Sequence, residues 1–281
     1  MPRLILISFA DNRFRNSLVR LQQQTRRFPF DERHFLTEQT ALSKKYWRKL
    51  KPWLYRRGFG FWAWKAQIVS EYMERLQEGD MIFWSDAGIY WNDSQEAVRR
   101  FQEYVNMLSG DKALLTFQQP TPEQEYTKGD VLEVFGVYDN QEICSSLQLW
   151  AGCFLIKKTQ VMMEFLEKWK GFNDLKKDLI TDKRSQKPNK PGFKDHRHDQ
   201  SVFSLLTKQY PHIEIDWREV LPEDGNWDSL QSSPIQGRRL KEADRPKSEI
   251  IKNKLLRPWR EILHLYFKRI KDYDYRGKYV W

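Results

Sequence analysis

Residues 4–9, LILISF, form an unbroken apolar run, and the polar turn ADNR follows directly. A strand that is apolar at every position must be covered on both faces, as in the interior of a largely parallel sheet layered by helices. The next segment offers such a cover. Phe14, Leu18 and Leu21 recur at helical spacing, while Arg15, Arg20 and the glutamines fall on the opposite side.

The same order returns later in the chain. Ile68, Val69, Tyr72, Met73 and Leu76 predict a helix over residues 65–78, Gly79 stops it, and MIFW follows as a strand. Further strands are predicted at 114–117 (LLTF), 149–156 (LWAGCFLI) and 212–217 (HIEIDW). Helical stripes run from Val161 to Trp169 and from Val202 to Tyr210. The alternation reads as an α/β fold, and with neither repeat nor linker in the pattern one domain over residues 1–281 is expected. Residues 120–130 and the lysine-rich stretch 171–198, which contains "QKPNKPGF" and ends in "DHRHDQ", break the pattern. Long loops of this kind are often functional, and the second is expected to cover an anionic substrate.

Charge narrows the partners. The 48 Lys and Arg against 38 Asp and Glu leave a net charge of +10, which favours nucleic acid, phosphorylated small molecules or an anionic membrane surface. Because no RNP, helix-turn-helix, zinc-finger or KH pattern occurs, nucleic acid is not expected, and a basic single-strand-binding protein stands as the competing class. Cys144 and Cys153 make neither a disulfide framework nor a zinc spacing. LILISFA is too short for a signal segment and no apolar run reaches about 18 residues, so a cytoplasmic or peripheral location is expected. In the basic segment at about 250–281, Trp259, Ile262, Leu263, Tyr266, Phe267 and Ile270 share one face of a helix predicted to start at Pro258. That face suits packing on the domain or attachment to an anionic bilayer.

The stretch FWSDAG, residues 83–88, carries the functional question. Asp86 ends a predicted strand, where an acid either caps the next turn or reaches a ligand beyond the sheet. The small residues Ala87 and Gly88 leave room for close approach. Read with Asp199, it could also form the acid pair of a glycosidase, a reading that depends on the separation of the two.

Strand, acid, small residue and glycine in this order resemble the nucleotide-sugar site of the GT-A glycosyltransferases. The resemblance implies a Rossmann-like, mixed and mostly parallel sheet flanked by helices. It also implies a divalent metal, Mn2+ or Mg2+, held by a DxD motif against the donor diphosphate. Only the second acid of that motif is present, as Asp86, and Trp84 stands in place of the first. Asp86 is then the implied metal ligand, with Ser85 and Ala87 beside the donor. His264 is one candidate for the histidine that completes such a site, and His196 and His198 are others.

Three further segments are similar to parts of this family. "ISFADNRF" resembles its nucleoside-binding first loop, which implies Ser8, Phe9, Ala10 and Asp11 as donor contacts. "RRGFGFWAWKAQIV" resembles the segment before the acid-bearing strand, with Arg57 and Lys65 set against phosphate charge. "LQLWAGCFLI" followed by "HRHDQSVF" resembles the acceptor side of retaining members and gives Asp199 and Gln200 the catalytic role. Asp199 also suits a helix N-cap. The function implied is transfer of a sugar, from a UDP-sugar by preference, to a glycan or lipid-linked glycan hydroxyl in capsule or lipopolysaccharide assembly.

Overall fold

The structure is a computed structural model that describes residues 2–52, 55, 57–108 and 112–238. His264 and the predicted helix from Pro258 lie outside these residues.

The strands are β1 (Leu4–Phe9), β2 (Glu32–Leu36), β3 (Met81–Ser85), β4 (Tyr90–Trp91), β5 (Leu114–Pro122), β6 (Leu147–Lys157), β7 (Ile213–Ile215) and β8 (Ile235–Gln236). Six of them form one sheet in the order β2-β1-β3-β6-β5-β7, and β4 pairs with β8 in a separate ribbon. Pairing is parallel for β2 with β1, β1 with β3 and β5 with β7. β6 is antiparallel to both its neighbours, β3 and β5. The sheet is therefore mixed and mostly parallel, as expected. Sequence periodicity had marked only the core of several strands: β6 runs two residues earlier than predicted, β5 continues to Pro122 past an irregular register, and β7 keeps only the centre of HIEIDW.

Helices of seven or more residues are α1 (Arg15–Gln24), α2 (Lys44–Leu50), α3 (Trp64–Glu74), α4 (Gln95–Met107), α5 (Gln160–Phe172) and α6 (Asp199–Thr207). Alternate strand residues enter two cores. Ile5, Ile7, Ile82, Trp84, Phe154 and Ile156 pack with α3, α5 and α6. Leu4, Leu6, Phe83, Cys153 and Leu155 pack with Leu21 of α1 and Phe101 and Tyr104 of α4. Both faces are thus covered, the physical reason that the central strands lack polar alternation. Cys144 and Cys153 are free buried thiols. Helix α3 stops at Glu74, four residues short of its predicted end, although Leu76 stays buried beyond it.

The two stretches that broke the sequence pattern pack against each other. Lys194 and Arg197 donate backbone hydrogen bonds to the carbonyls of Glu125 and Tyr126, and Asp130 accepts from the backbone of Gln186 and Lys187. Beneath them, fully buried Glu123 accepts from Thr127 at 2.9 Å, from Lys208 Nζ at 2.8 Å and from the Ser204 hydroxyl. A charge buried this way is stable only with its partner, because removing one member leaves the other unpaired. Lys208→Met should lower stability by about 3–5 kcal/mol, read as a fall in the urea midpoint. Adding Glu123→Gln, which removes the stranded charge, should recover part of that loss.

Candidate active site

The site is assembled where β3 ends. Trp84 and Asp86 lie two residues apart on an extended chain and so share one face, towards α3 and α6. The Trp84 indole N–H donates to Asp86 Oδ1 at 2.9 Å. The Asp86 backbone N–H donates to the Gly152 carbonyl on the neighbouring strand at 2.8 Å. A β-carbon at Gly152 would lie 3.1 Å from Asp86 Oδ2 and 2.5 Å from the Trp150 ring nitrogen. Gly152 is therefore the residue that lets the carboxylate lie against β6.

Lys65 comes to the same point from α3. Its Nζ donates to the Ala151 carbonyl at 2.9 Å, lies 3.1 Å from Asp86 Oδ1 and 3.4 Å from Asp199 Oδ2, and sits 5.6 Å from the centre of the Trp84 ring. The Lys65 side chain is 2% exposed, that of Asp199 5% and that of Asp86 22%, so Asp86 is the most open member of the trio. Burial alone would lower the Lys65 pKa. The charges of Asp199 and Asp86 outweigh burial, and the pKa is raised. Asp199 is pushed up to about 7 by burial and by the nearby Asp86 charge, against the pull of Lys65.

The approach to Lys65 is strained. Gly58, Phe59, Gly60, Phe61 and Trp62 have consecutive φ values of 54°, 54°, 101°, 55° and 58°. A left-handed conformation costs about 1–2 kcal/mol for each residue with a side chain, and such cost is characteristic of functional sites. Gly60 is required on space as well, since a β-carbon there would meet Leu50 at 2.7 Å. Packing of Phe59 on Phe9 and Trp47 helps hold the turn. Phe61 and Trp62 face His198, which is itself at φ 55°.

Asp86, Lys65, Asp199, Gln200, Arg57, Trp62, Gln119, Trp150, Arg197 and His198 line one cleft of about 130 Å³. It lies beyond the carboxyl end of β3, the position at which α/β sheets bind ligands. Small-molecule pockets commonly hold roughly 300–1,000 Å³, so only part of a large ligand fits inside and the rest must lie across the mouth.

Of the residues singled out in the sequence, Arg57, Lys65, Asp86, Asp199 and Gln200 meet here. Ser8, Phe9, Ala10, Asp11, Ser85 and Ala87 do not line the cleft. Ser8 is fully buried, Phe9 packs on Trp64, and Ala10 packs with Ala87 and Leu18. Asp11 caps the following turn through the Arg13 N–H and pairs with the Arg13 guanidinium. The Ser85 hydroxyl accepts from the Trp91 indole at 3.0 Å. Lys65 was expected to face phosphate and instead lies between two acids. Asp199 is the first residue of α6, and the N-cap position belongs to His198. Arg57 bridges Asp182 and Asp195 of the long loop at 2.8 Å each. The Gln200 amide donates to Gln148 Oε1 at 3.0 Å.

The sequence reading missed Ala151 and Gly152 as site formers, and also Trp62, Trp150 and Arg197. The small pair inside an otherwise bulky strand was the available signal.

A divalent metal fits these residues poorly. Mg2+ needs near-octahedral oxygen ligands at about 2.0–2.1 Å, and the space between Asp86 and Asp199 is filled by an ammonium. Among the described residues no group of three or more His, Cys, Asp or Glu converges to hold a metal. His196 is buried, with Nε2 bonded to the Leu179 carbonyl at 2.8 Å, and burial lowers its pKa well below the ordinary range. His198 is buried too, its Nε2 3.3 Å from Asp182, and burial lowers its pKa.

No family model matches the chain, and no curated protein matches it. Solved structures with a similar fold include a glycosyltransferase involved in glycosylation of the major capsid of PBCV-1 (12% identity, 86% of this chain and 98% of that one, TM-score 0.47). Mouse xyloside xylosyltransferase 1 matches at 12% identity over 87% of this chain and 99% of its own, with a TM-score of 0.44. The galactosyltransferase LgtC, solved with donor and acceptor sugar analogs, matches at 14% identity over 83% and 86%, with a TM-score of 0.39. Likeness this distant carries no weight for activity, and the architecture stands on its strand order and register.

Asp199 gives a pH signature. Its pKa is higher folded than unfolded, so between its ordinary value of 3.8 and about 7 the native state holds a proton that the unfolded chain has released. Stability from this group therefore falls as pH rises through that window. Asp199→Asn should flatten that slope, its urea midpoint changing less than that of the wild type between pH 4 and pH 7.

Proposed function

We propose that this protein is a glycosyltransferase of the GT-A type that moves a sugar from a nucleoside diphosphate donor, UDP-linked by preference, to a hydroxyl of a glycan or lipid-linked glycan. The observation that carries this reading is the meeting of Asp86 and Asp199 on one lysine, in a cleft beyond the strand end, from positions more than a hundred residues apart. Surface polysaccharide synthesis is the proposed setting, with the protein on the cytoplasmic side and peripheral to the membrane. No helix among the described residues is long and apolar enough to cross a membrane.

In this proposal Asp86, its charge balanced by Lys65, accepts hydrogen bonds from hydroxyls of the donor. Arg57 and Arg197 face the diphosphate, whose growing charge must be met as it leaves. Asp199 and Gln200 hold the transferred sugar against the acceptor. The loop at Ser8, Phe9, Ala10 and Asp11, with Ser85 and Ala87, is assigned to the nucleoside side of the mouth. The bond from the anomeric carbon to the phosphate oxygen breaks, its electron pair leaves with the diphosphate, and the acceptor oxygen bonds to the anomeric carbon. The acceptor proton passes to the departing phosphate, which corresponds to transfer with retention. The Mn2+ or Mg2+ implied by the resemblance has no step here. A nucleic-acid role has no motif behind it, since no RNP, helix-turn-helix, zinc-finger or KH pattern occurs in the sequence.

The test is a thermal-shift and calorimetry panel of uridine, guanosine and cytidine diphosphate sugars, with Asp86→Ala alongside. One nucleoside class should raise the wild-type melting temperature and release its diphosphate slowly in the presence of acceptor glycans. Asp86→Ala, folded by circular dichroism, should lose at least about tenfold in donor affinity, the equivalent of 1.4 kcal/mol. A wild type that responds to none of the donors defeats the reading.

A further inference from the structure

A cation between two carboxylates is what a metal-dependent diphosphate site supplies: it cancels their repulsion of an anionic ligand and fixes their geometry. Here that place already holds a charge. The Lys65 ammonium has three N–H donors, and three oxygens lie within reach: the Ala151 carbonyl at 2.9 Å, Asp86 Oδ1 at 3.1 Å and Asp199 Oδ2 at 3.4 Å. These oxygens come from three separate segments of the fold. Asp86 Oδ1 also accepts from the Trp84 indole, so the carboxylate oxygen nearest the ammonium is shared by two donors.

The sequence departure at Trp84 and the lysine are two halves of one arrangement. A carboxylate at position 84 would add a third negative charge beside Asp86 and ask for a divalent ion. An indole there adds none, supplies a hydrogen bond, and turns its ring face to the ammonium at 5.6 Å. A divalent ion entering between the acids would have to displace a buried ammonium, its side chain being 2% exposed.

We propose that Lys65 is the resident cation of this site, doing between Asp86 and Asp199 what a bound divalent metal would otherwise do, so that the protein takes up its anionic donor without metal. The donor half of this statement rests on the transferase reading. The metal half does not, because it concerns only what occupies the space between the two acids.

The experiment has two arms. In the first, Mn2+ is titrated into the whole wild-type chain and free Mn2+ is followed by electron paramagnetic resonance, without any donor. The wild type should leave the signal of free Mn2+ undiminished at micromolar concentrations. Lys65→Ala, which empties the space while leaving both carboxylates, should bind Mn2+ and gain thermal stability from it. If that variant does not fold, Lys65→Ser, which also empties the space and leaves both carboxylates, should gain a Mn2+-dependent rise in melting temperature. Tight Mn2+ binding by the wild type that disappears in Asp86→Asn would overturn the proposal. So would a folded Lys65 variant that stays indifferent to Mn2+.

In the second arm, donor binding is measured in EDTA and in Mn2+. The wild type should bind equally in both, whereas the Lys65 variant should bind only in Mn2+. Wild-type binding that requires Mn2+ overturns the proposal. A wild type that binds no donor in either buffer defeats the transferase reading, and the first arm still decides what fills the space between the acids.

Discussion

The buried ammonium of Lys65 is the contact on which the rest of the site depends. An ion taken out of water costs several kcal/mol even after relaxation, and that cost is met only if its oxygen partners arrive together. The segments bearing Ala151, Asp86 and Asp199 must therefore converge for the lysine to be buried. Each has a reason to be where it is. Asp86 is tied by its backbone to Gly152, which has no β-carbon to push it away. Asp199 opens a helix whose next residues, Val202 and Phe203, are anchored in the core. Lys65 stands near the start of α3, where the helix dipole disfavours a cation. The two carboxylates outweigh that penalty together with the penalty of burial.

Around this contact the fold holds further buried polar groups in partnered networks. Glu123 is held by Lys208 and neighbouring hydroxyls, and Lys128 is held by the carbonyls of Asp178, Thr181 and Lys183. Burial lowers the Lys128 pKa to about 8. The Lys128 network fastens the long loop to residues 123–130. The loop expected to lie as a cover over substrate instead forms one wall of the cleft through His196, Arg197 and His198. Left-handed backbone falls on both walls, in the turn that presents Trp62 and at His198, φ 55°.

Much of the architecture could be read from the chain because it follows from local rules. A strand buried on both faces is apolar at nearly every position, as MIFW and, apart from Ser8, LILISF are. The edge strand β2, sequence ERHFL, went unread because a half-exposed edge imposes no such pattern. The ribbon of β4 and β8 is two residues long on each side, too short for any periodicity to register. Within the site, Asp86, Asp199, Gln200, Arg57 and Lys65 were each visible as a charged or polar residue at an element's end. Arg197 and Trp150 were not, since nothing in their immediate neighbours distinguishes them from surface and core residues.

By itself the sequence determined the layering, the order of the main strands and helices, and the placing of one acid at a strand tip and another at a helix start. These are consequences of side-chain periodicity and of the residue types that favour element ends, which act over a few residues. Only the tertiary structure decided that Lys65 lies between those acids, that Arg57 pairs with Asp182 and Asp195 of the long loop, and that Ser8 to Asp11 are buried beside β3. Charge pairing across α3, β3 and α6 depends on distances of about three ångströms between segments far apart in the chain, and no local pattern encodes which partner a buried ion will find.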